Sequence, residues 1–187
     1  MARIAGVSYL GLAPITYGEG GAISYGALQE IKQFISFSAT KNYSETQWYS
    51  NDTVEETFAS IVSEDIEIVL GRMTGDVKAL IAGADYSEKG VMTEKADDVQ
   101  KEFGLVVVLT QLPEGKLCKA YTRVKLKVES TEGETQTDSI TDSQVTLSGS
   151  AIPDANKVLC YTVDSNDKNV DKSVVNGWTT SFYKPTL

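Results

Sequence analysis

Short runs in which apolar and polar residues alternate dominate the chain. Such period-two runs, bounded by Gly, Asn, Asp and Ser, are typical of half-buried β-strands. Their apolar positions are filled mostly by β-branched and aromatic residues, which favour strands. The predicted strands are Ile31–Thr40, Ala59–Leu70, Leu105–Leu112, Ala120–Glu129, Ser143–Ile152 and Lys157–Val163. The pattern therefore predicts a mainly β protein, a β-sandwich or barrel-like single domain over residues 1–187.

One segment, "TGDVKALIAG", carries the signals of an α-helix. Thr74 is a candidate N-cap, Asp76 lies in the first turn where the helix dipole favours negative charge, and Gly83 is a stop signal. The apolar side chains that share one face are Val77, Leu80 and Ile81. We expect one short helix that packs against the sheet.

Two other segments have weaker signals. "MTEKADDVQKEFG", residues 92–104, is either a second helix or a solvated loop, because only Val99 and Phe103 mark an apolar face. In the C-terminal extension, residues 154–187, the pair Asn176-Gly177 lies between apolar runs. This pair is the strongest short hairpin signal in the chain and predicts a β-turn there.

Strand alternation divides charged residues from apolar ones in two of the predicted strands. In "SEDIEIVL" it places Asp65 and Glu67 side by side on the face opposite Ile66 and Ile68. In "AYTRVKLKVE" the predicted core face is Thr122, Val124, Leu126 and Val128, and the polar face is Tyr121, Arg123, Lys125, Lys127 and Glu129. Both strands are thus expected to have one buried face and one polar face.

The segment from Lys41 to Phe58 has no clear periodicity and reads as a long inter-strand loop. Loops of that length in compact domains are usually functional, and exposed aromatic residues often mark an interface. We therefore interpret it as an inter-subunit contact, an interpretation that is weaker if Trp48 belongs instead to the core. The candidate residues are Tyr43, Trp48, Tyr49, Asp52, Glu55, Glu56 and Phe58.

Composition excludes several classes of function. The chain has no His, which removes the commonest general base, the Ser and Cys triads and most zinc sites. A glycine-rich stretch near Gly18 lacks the rest of a phosphate loop, and the calcium-loop start at Asp164 lacks the later ligands. We expect no catalysis, no cofactor and no metal.

The net charge of −9 disfavours tight binding to nucleic acid. The first residues make a poor signal peptide, and no window approaches a membrane span. We therefore expect a protein made and assembled in a cytoplasm, without a membrane partner. The two cysteines, Cys118 and Cys160, are expected to be reduced thiols rather than a disulfide.

Four blocks of sequence, in their order, resemble the major tail proteins, or tail tube proteins, of long noncontractile-tailed bacteriophages, especially those of Gram-positive hosts. The blocks are "MARIAGVSYLGLAPIT", "EIKQFISFSATKNYSETQWYSNDTVEET", "SEDIEIVLGRMTGDVKALIAG" and "QVTLSGSAIP". Together they cover roughly residues 1–153. None is a sharp motif, because the family has no catalytic signature.

The resemblance implies a structural virion protein whose six copies form a ring. Rings of this kind stack into a tail tube around the tape-measure protein and later the DNA, with tail tip and terminator proteins as further partners. In the family a long loop reaches a neighbouring ring, which would correspond to residues 41–58. By the same analogy Asp65 and Glu67 face the lumen, which DNA crosses without specific binding.

Two other functions remain open at the level of the sequence. The first is a monomeric β-sandwich binding module, carbohydrate-binding or adhesin-like, with Trp48, Tyr49 and Trp178 as stacking platforms. The second, much weaker, is a hydrolase that uses a pair of carboxylates. Oligomeric state in solution separates the structural protein from the binding module.

Overall fold

A computed structural model describes residues 3–50, 52–131 and 144–185. Within them the chain is mainly antiparallel β-structure, as the alternating pattern predicts. The strands are β1 (Arg3–Tyr17), β2 (Ile23–Tyr25), β3 (Gln29–Glu30), β4 (Phe34–Ser50), β5 (Thr53–Leu70), β6 (Asp85–Tyr86), β7 (Met92–Thr93), β8 (Phe103–Leu112), β9 (Lys116–Thr131), β10 (Val145–Ile152) and β11 (Cys160–Asp164). The helices are α1 (Gly75–Ala82) and α2 (Lys172–Gly177), with a 3₁₀ turn at Glu19–Gly21.

One large sheet holds nine of the strands that the structure describes. Its main path runs β2, β1, β8, β9, β10, β5, β4, with β3 on β1 and β11 on β9. The sheet curls until β4 lies against β1, and no ladder joins these two strands among the described residues. The seam between them is lined by the apolar side chains of Ile4, Val7, Ile35 and Phe37. The result is a partly open barrel.

The barrel interior is the main hydrophobic core. Ile66, Ile68 and Leu70 of β5 point inward, as their alternation predicts, and meet Leu126 and Leu147 from β9 and β10. Val77 and Ile81 of α1 pack into the same core, which confirms the predicted helix face. Helix α1 ends at Gly83, whose φ of 75° is the left-handed conformation that glycine adopts most easily.

A second core covers the outer face of β1, β8 and β9. Val106, Val108 and Cys118 lie beneath Trp178 and Phe182 of the C-terminal segment. Strand β8 is therefore buried on both faces. This explains its continuous apolar run, and also why β1, which has no clean alternation where it is buried, was not among the predicted strands.

The predicted hairpin at Asn176-Gly177 is wrong, because these residues end helix α2. Asp171 caps the helix by accepting a hydrogen bond from the Ser173 amide at 2.8 Å. Val174 and Val175 on this helix pack against the second core. Burial of the following Trp178 against the sheet thus overrides the local turn signal. The open choice for residues 92–104 resolves as short strand β7 and irregular chain before β8.

Candidate assembly surfaces

Residues 41–58, predicted as a loop, form paired strands. From Tyr43↔Ile61 to Ser50↔Thr53, β4 and β5 continue their antiparallel ladder beyond the barrel. We name residues 43–50 and 53–61 the arm. Its backbone is paired like any hairpin, so the loop prediction is wrong. Alternation gave no signal because the arm has no buried face, and apolar residues lie on both of its sides.

The aromatic residues of the arm are exposed. Trp48 and Tyr49 expose 60% and 67% of their surface, which excludes Trp48 from the core. Tyr43 and Phe58 are exposed as well. The Trp48 and Phe58 rings pack edge to face across the two strands, with centroids 5.2 Å apart. Trp48 and Phe58 therefore form an aromatic pair that the described part of the chain leaves uncovered.

The far half of the arm is acidic. Asp52, Glu55 and Glu56 are all exposed, and none forms an ion pair with a residue that the structure describes. Between Lys41 and Arg72 the sequence has no basic residue. All seven residues proposed for the inter-subunit contact thus lie on the arm and its turn.

Asp65 and Glu67 lie on the outer face of the barrel, as alternation predicts. Glu67 lies opposite Ser38 on β4 and Ser148 on β10, and Asp65 lies opposite Thr40 and Ser150. Small side chains thus flank both carboxylates. Neither forms an ion pair within the described residues.

Basic residues share this outer face, two strands away. Ser148 and Ser150 pair on their other side with Lys127 and Lys125 of β9. A groove of about 630 Å³ lies over β10, with Asp65 and Glu67 along one wall and Lys125 and Lys127 along the other. The face is therefore charge-balanced rather than uniformly acidic.

Glu102, which no sequence pattern singled out, lies at one end of the row of basic residues on β9, Arg123, Lys125 and Lys127. Its carboxylate accepts hydrogen bonds from Arg123 and Tyr17, and Lys125 Nζ lies 3.5 Å away. Burial by itself would raise the pKa of Glu102, but the hydrogen bonds from Arg123 and Tyr17 outweigh it and hold the pKa below its usual range. Lys127 pairs with Glu129 at 3.1 Å. Lys125 and Lys127 are therefore paired with carboxylates other than those of Asp65 and Glu67.

A second polar cluster, also not predicted, lies at the arm end of the barrel interior. Glu64 is 2% exposed, and its Oε1 accepts a hydrogen bond of 2.9 Å from the Tyr121 hydroxyl. Lys119 Nζ lies 3.8 Å from the same oxygen. Burial, with the nearby Cys160 and Glu64, raises the pKa of Tyr121, so the phenol stays protonated and donates.

Tyr121 was predicted on the polar face of its strand, and this is wrong. Phe103 pairs with Val124 but Leu105 pairs with Tyr121, so β9 carries one extra residue between the two pairs. This bulge brings both Tyr121 and Val124 into the barrel core. Beyond it Arg123, Lys125 and Lys127 keep the predicted outward direction.

Trp178 cannot serve as a stacking platform. It is 1% exposed, its ring stacks on Tyr183 with centroids 5.0 Å apart, and its indole N–H donates to the Lys119 carbonyl. Of the three aromatic residues considered for a binding module, only Trp48 and Tyr49 are accessible.

The remaining chemistry of the described residues is sparse. No cluster of three or more Cys, Asp or Glu side chains in residues 3–50, 52–131 and 144–185 is arranged to hold a metal ion. Cys118 and Cys160 are both free thiols, and burial raises the pKa of Cys118 to about 11. No helix in the same ranges has the length and apolar character needed to cross a membrane.

The chain matches no family model and no curated protein.

Proposed function

We propose that the chain is a structural virion protein of a long noncontractile-tailed bacteriophage, and that its copies stack as hexameric rings into the tail tube. The tube would surround the tape-measure protein, bind tail tip and terminator proteins at its ends, and conduct the DNA. Assembly would take place in the host cytoplasm. The resemblance in the four sequence blocks motivates this proposal, and a feature of the fold supports it.

That feature is the arm. Over its length, among the residues that the structure describes, β4 and β5 pair only with each other and Trp48, Tyr49 and Phe58 are uncovered. Exposed aromatic side chains that pack on one another, as Trp48 and Phe58 do, often mark a protein–protein interface. An arm that projects from the barrel suits a subunit that holds the next copy. A ligand-binding module would instead be expected to place its exposed aromatic residues inside a concave site, whereas Trp48 and Tyr49 lie near the tip of the arm.

The binding-module alternative loses support from the position of Trp178. With this residue in the second core, Trp48 and Tyr49 would have to bind a sugar from the exposed end of the arm. Small-molecule sites are typically concave, with polar groups that converge on the ligand. The structural reading is therefore the stronger one.

Within the tube, we place the outer face of β5 toward the lumen. Asp65 and Glu67 are exposed there and have no ion pair within the described residues, so their charge is available to repel phosphate. Lys125 and Lys127 would face the same space. The passage would then be weakly charged overall, which suits a duplex that slides without sticking.

The test is assembly of the purified protein. We expect size-exclusion chromatography at rising concentration to show growth beyond the monomer, and negative-stain images to show tubes or stacked rings with a central channel. A protein that stays monomeric at high concentration and binds a glycan array would instead support the binding module and contradict the proposal.

A further inference from the structure

A basic pocket lies at the foot of the arm, where β4 and β5 leave the barrel. We name it the arm-foot pocket. It has a volume of about 430 Å³, and its lining includes Lys41, Ile61, Glu64, Lys119, Lys157 and Leu159. Strands β4, β5, β9 and β11 and the turn before β11 thus all contribute to it.

The charge of this pocket is opposite to that of the chain. Three lysines line it, against the single carboxylate of Glu64, whereas the protein as a whole carries −9. Lys41 and Lys157 are exposed, and neither forms an ion pair with any residue the structure describes. Glu64 is already bonded to Tyr121 and lies near Lys119, so it does not neutralise the two exposed lysines.

The tip of the arm has the complementary chemistry. Asp52, Glu55 and Glu56 are exposed without an ion pair among the described residues, and Trp48 lies beside them with its cross-strand partner Glu56. Acidic and aromatic groups together match a pocket whose wall combines lysines with Ile61 and Leu159.

The tip cannot reach the pocket of its own chain. From Tyr43 to Ser50 the arm is an extended ladder, and at about 3.3 Å per residue it carries the tip roughly 25 Å from its foot. A contact between tip and pocket must therefore join two copies. Because the two surfaces are different, the contact either repeats head-to-tail from copy to copy or is exchanged reciprocally within a two-fold dimer, and the proposed tube requires the head-to-tail form.

We infer that the arm-foot pocket receives the acidic tip of the arm of a second copy, with Lys41 and Lys157 as its charge partners. This inference rests on the proposed function, since it names the surface that each arm would bind in the polymer. It also accounts for the absence of basic residues along the arm, because a lysine there would meet the lysines of the pocket.

The test is a charge swap in the full-length chain. The pocket variant is Lys41→Glu with Lys157→Glu, the arm variant is Glu55→Lys with Glu56→Lys, and the swap variant carries all four changes. We expect each double variant to raise the concentration needed for assembly by about tenfold or more, and the swap variant to recover most of that loss. Electron microscopy and analytical ultracentrifugation measure both effects.

Matched controls separate charge from fold. Lys89→Glu with Lys168→Glu makes the same change in net charge at two exposed lysines outside the pocket, and should leave assembly unchanged. Lys41 lies opposite Glu64 in the ladder, so Lys157→Glu alone is included in case Lys41→Glu perturbs folding. Circular dichroism checks that each variant is folded.

Each outcome bears on the inference. If the wild type forms tubes and the pocket variant does too, or the swap fails to restore them, the inference is wrong while the proposed function stands. If the wild type forms no tubes but shows association that the pocket variant loses and the swap restores, the inference stands without the proposed function. A strictly monomeric wild type overturns both.

Discussion

Arg123 and Glu102 form a two-pronged ion pair, in which Nε donates to Oε2 and Nη2 donates to Oε1, both at 3.0 Å. The pair joins β9 to the chain just before β8. Tyr17, at the end of β1, donates to the same carboxylate, so three separate parts of the sheet meet at one acid. Both partners are largely shielded, with 25% and 14% of their side chains exposed.

This pair predicts a loss of stability in acid. The pKa of Glu102 is lowered in the folded protein, so its contribution is fully present above the unfolded value of about 4.3 and is lost as pH falls through the lower folded value. Arg123→Gln should reduce the free energy of unfolding by about 1 kcal/mol at pH 7, and the difference should shrink below about pH 4. Urea unfolding at pH 7, 5 and 3.5 measures it.

Lys125→Gln is the comparison for that prediction, because Lys125 lies near the same carboxylate but is 51% exposed. Lys125→Gln should change the free energy of unfolding by less than about 0.5 kcal/mol. An Arg123→Gln effect that does not change between pH 7 and pH 3.5 would show that Arg123 stabilises through packing alone.

The hydrogen bond between Tyr121 and Glu64 predicts a larger loss of stability than Arg123→Gln causes, from a smaller change in the side chain. Tyr121→Phe removes only the hydroxyl but leaves a carboxylate that is 2% exposed without its donor, and should cost about 2 kcal/mol. Tyr161→Phe, at a half-buried tyrosine, should stay within about 0.5 kcal/mol. Thermal unfolding compares the two. Equal effects would mean that Glu64 keeps its charge satisfied without Tyr121.

Shortening the arm should separate folding from assembly. Replacing residues 44–60 with an Asn-Gly turn closes the ladder just after the Tyr43↔Ile61 pair. Because the deleted residues lie outside both cores, the free energy of unfolding should change by less than about 1 kcal/mol, while tubes should disappear. Urea titration and electron microscopy give the two readouts.

A double substitution, Trp48→Ala with Phe58→Ala, tests the same role while keeping the arm at full length. Its control is Val91→Ala with Val99→Ala, two apolar side chains that are 60% and 76% exposed away from the arm. Only the aromatic changes should weaken assembly. If the shortened protein unfolds, the arm belongs to the cooperative folding unit, and its role in assembly must be reconsidered.

Charge on the outer face should affect the passage of DNA. Asp65→Lys with Glu67→Lys places four lysines around the groove, and each lysine that meets a phosphate adds affinity by counterion release. Tails should assemble but release DNA more slowly, with recovery as salt rises. Lys125→Glu with Lys127→Glu makes the opposite change on the same face and should not slow release. Normal release by the lysine variant at low salt would place this face outside the lumen.

Local pattern predicted the parts of the fold that have one buried face. Ile66, Ile68 and Leu70 alternate with Asp65 and Glu67 because one side of β5 is core and the other is solvent. The signals around α1 are likewise local, since Gly83 ends the helix where its sequence says it should. Strand β1 was missed, and β8 gave only an apolar run, because burial on both faces removes alternation.

Tertiary contacts decided what the pattern could not. The arm was predicted to be a loop because neither of its faces is buried. The turn predicted at Asn176-Gly177 does not form, because burial of Trp178 favours helix α2 there. The bulge in β9 reversed the expected direction of Tyr121 without any mark in the sequence. Glu64 and Glu102 gained their partners from strands distant in the chain, so no local spacing could single them out.

The positions of the two tryptophans give the protein a pair of built-in optical reporters. Trp48 is on the arm and 60% exposed, whereas Trp178 is 1% exposed where the C-terminal segment packs against the sheet. In the monomer a soluble quencher reaches the first indole and not the second. Loss of quenching at Trp48 then reports that the arm has been covered, and new quenching at Trp178 reports that the C-terminal segment has come away from the sheet. Binding and unfolding can thus be followed in one emission spectrum, without a label.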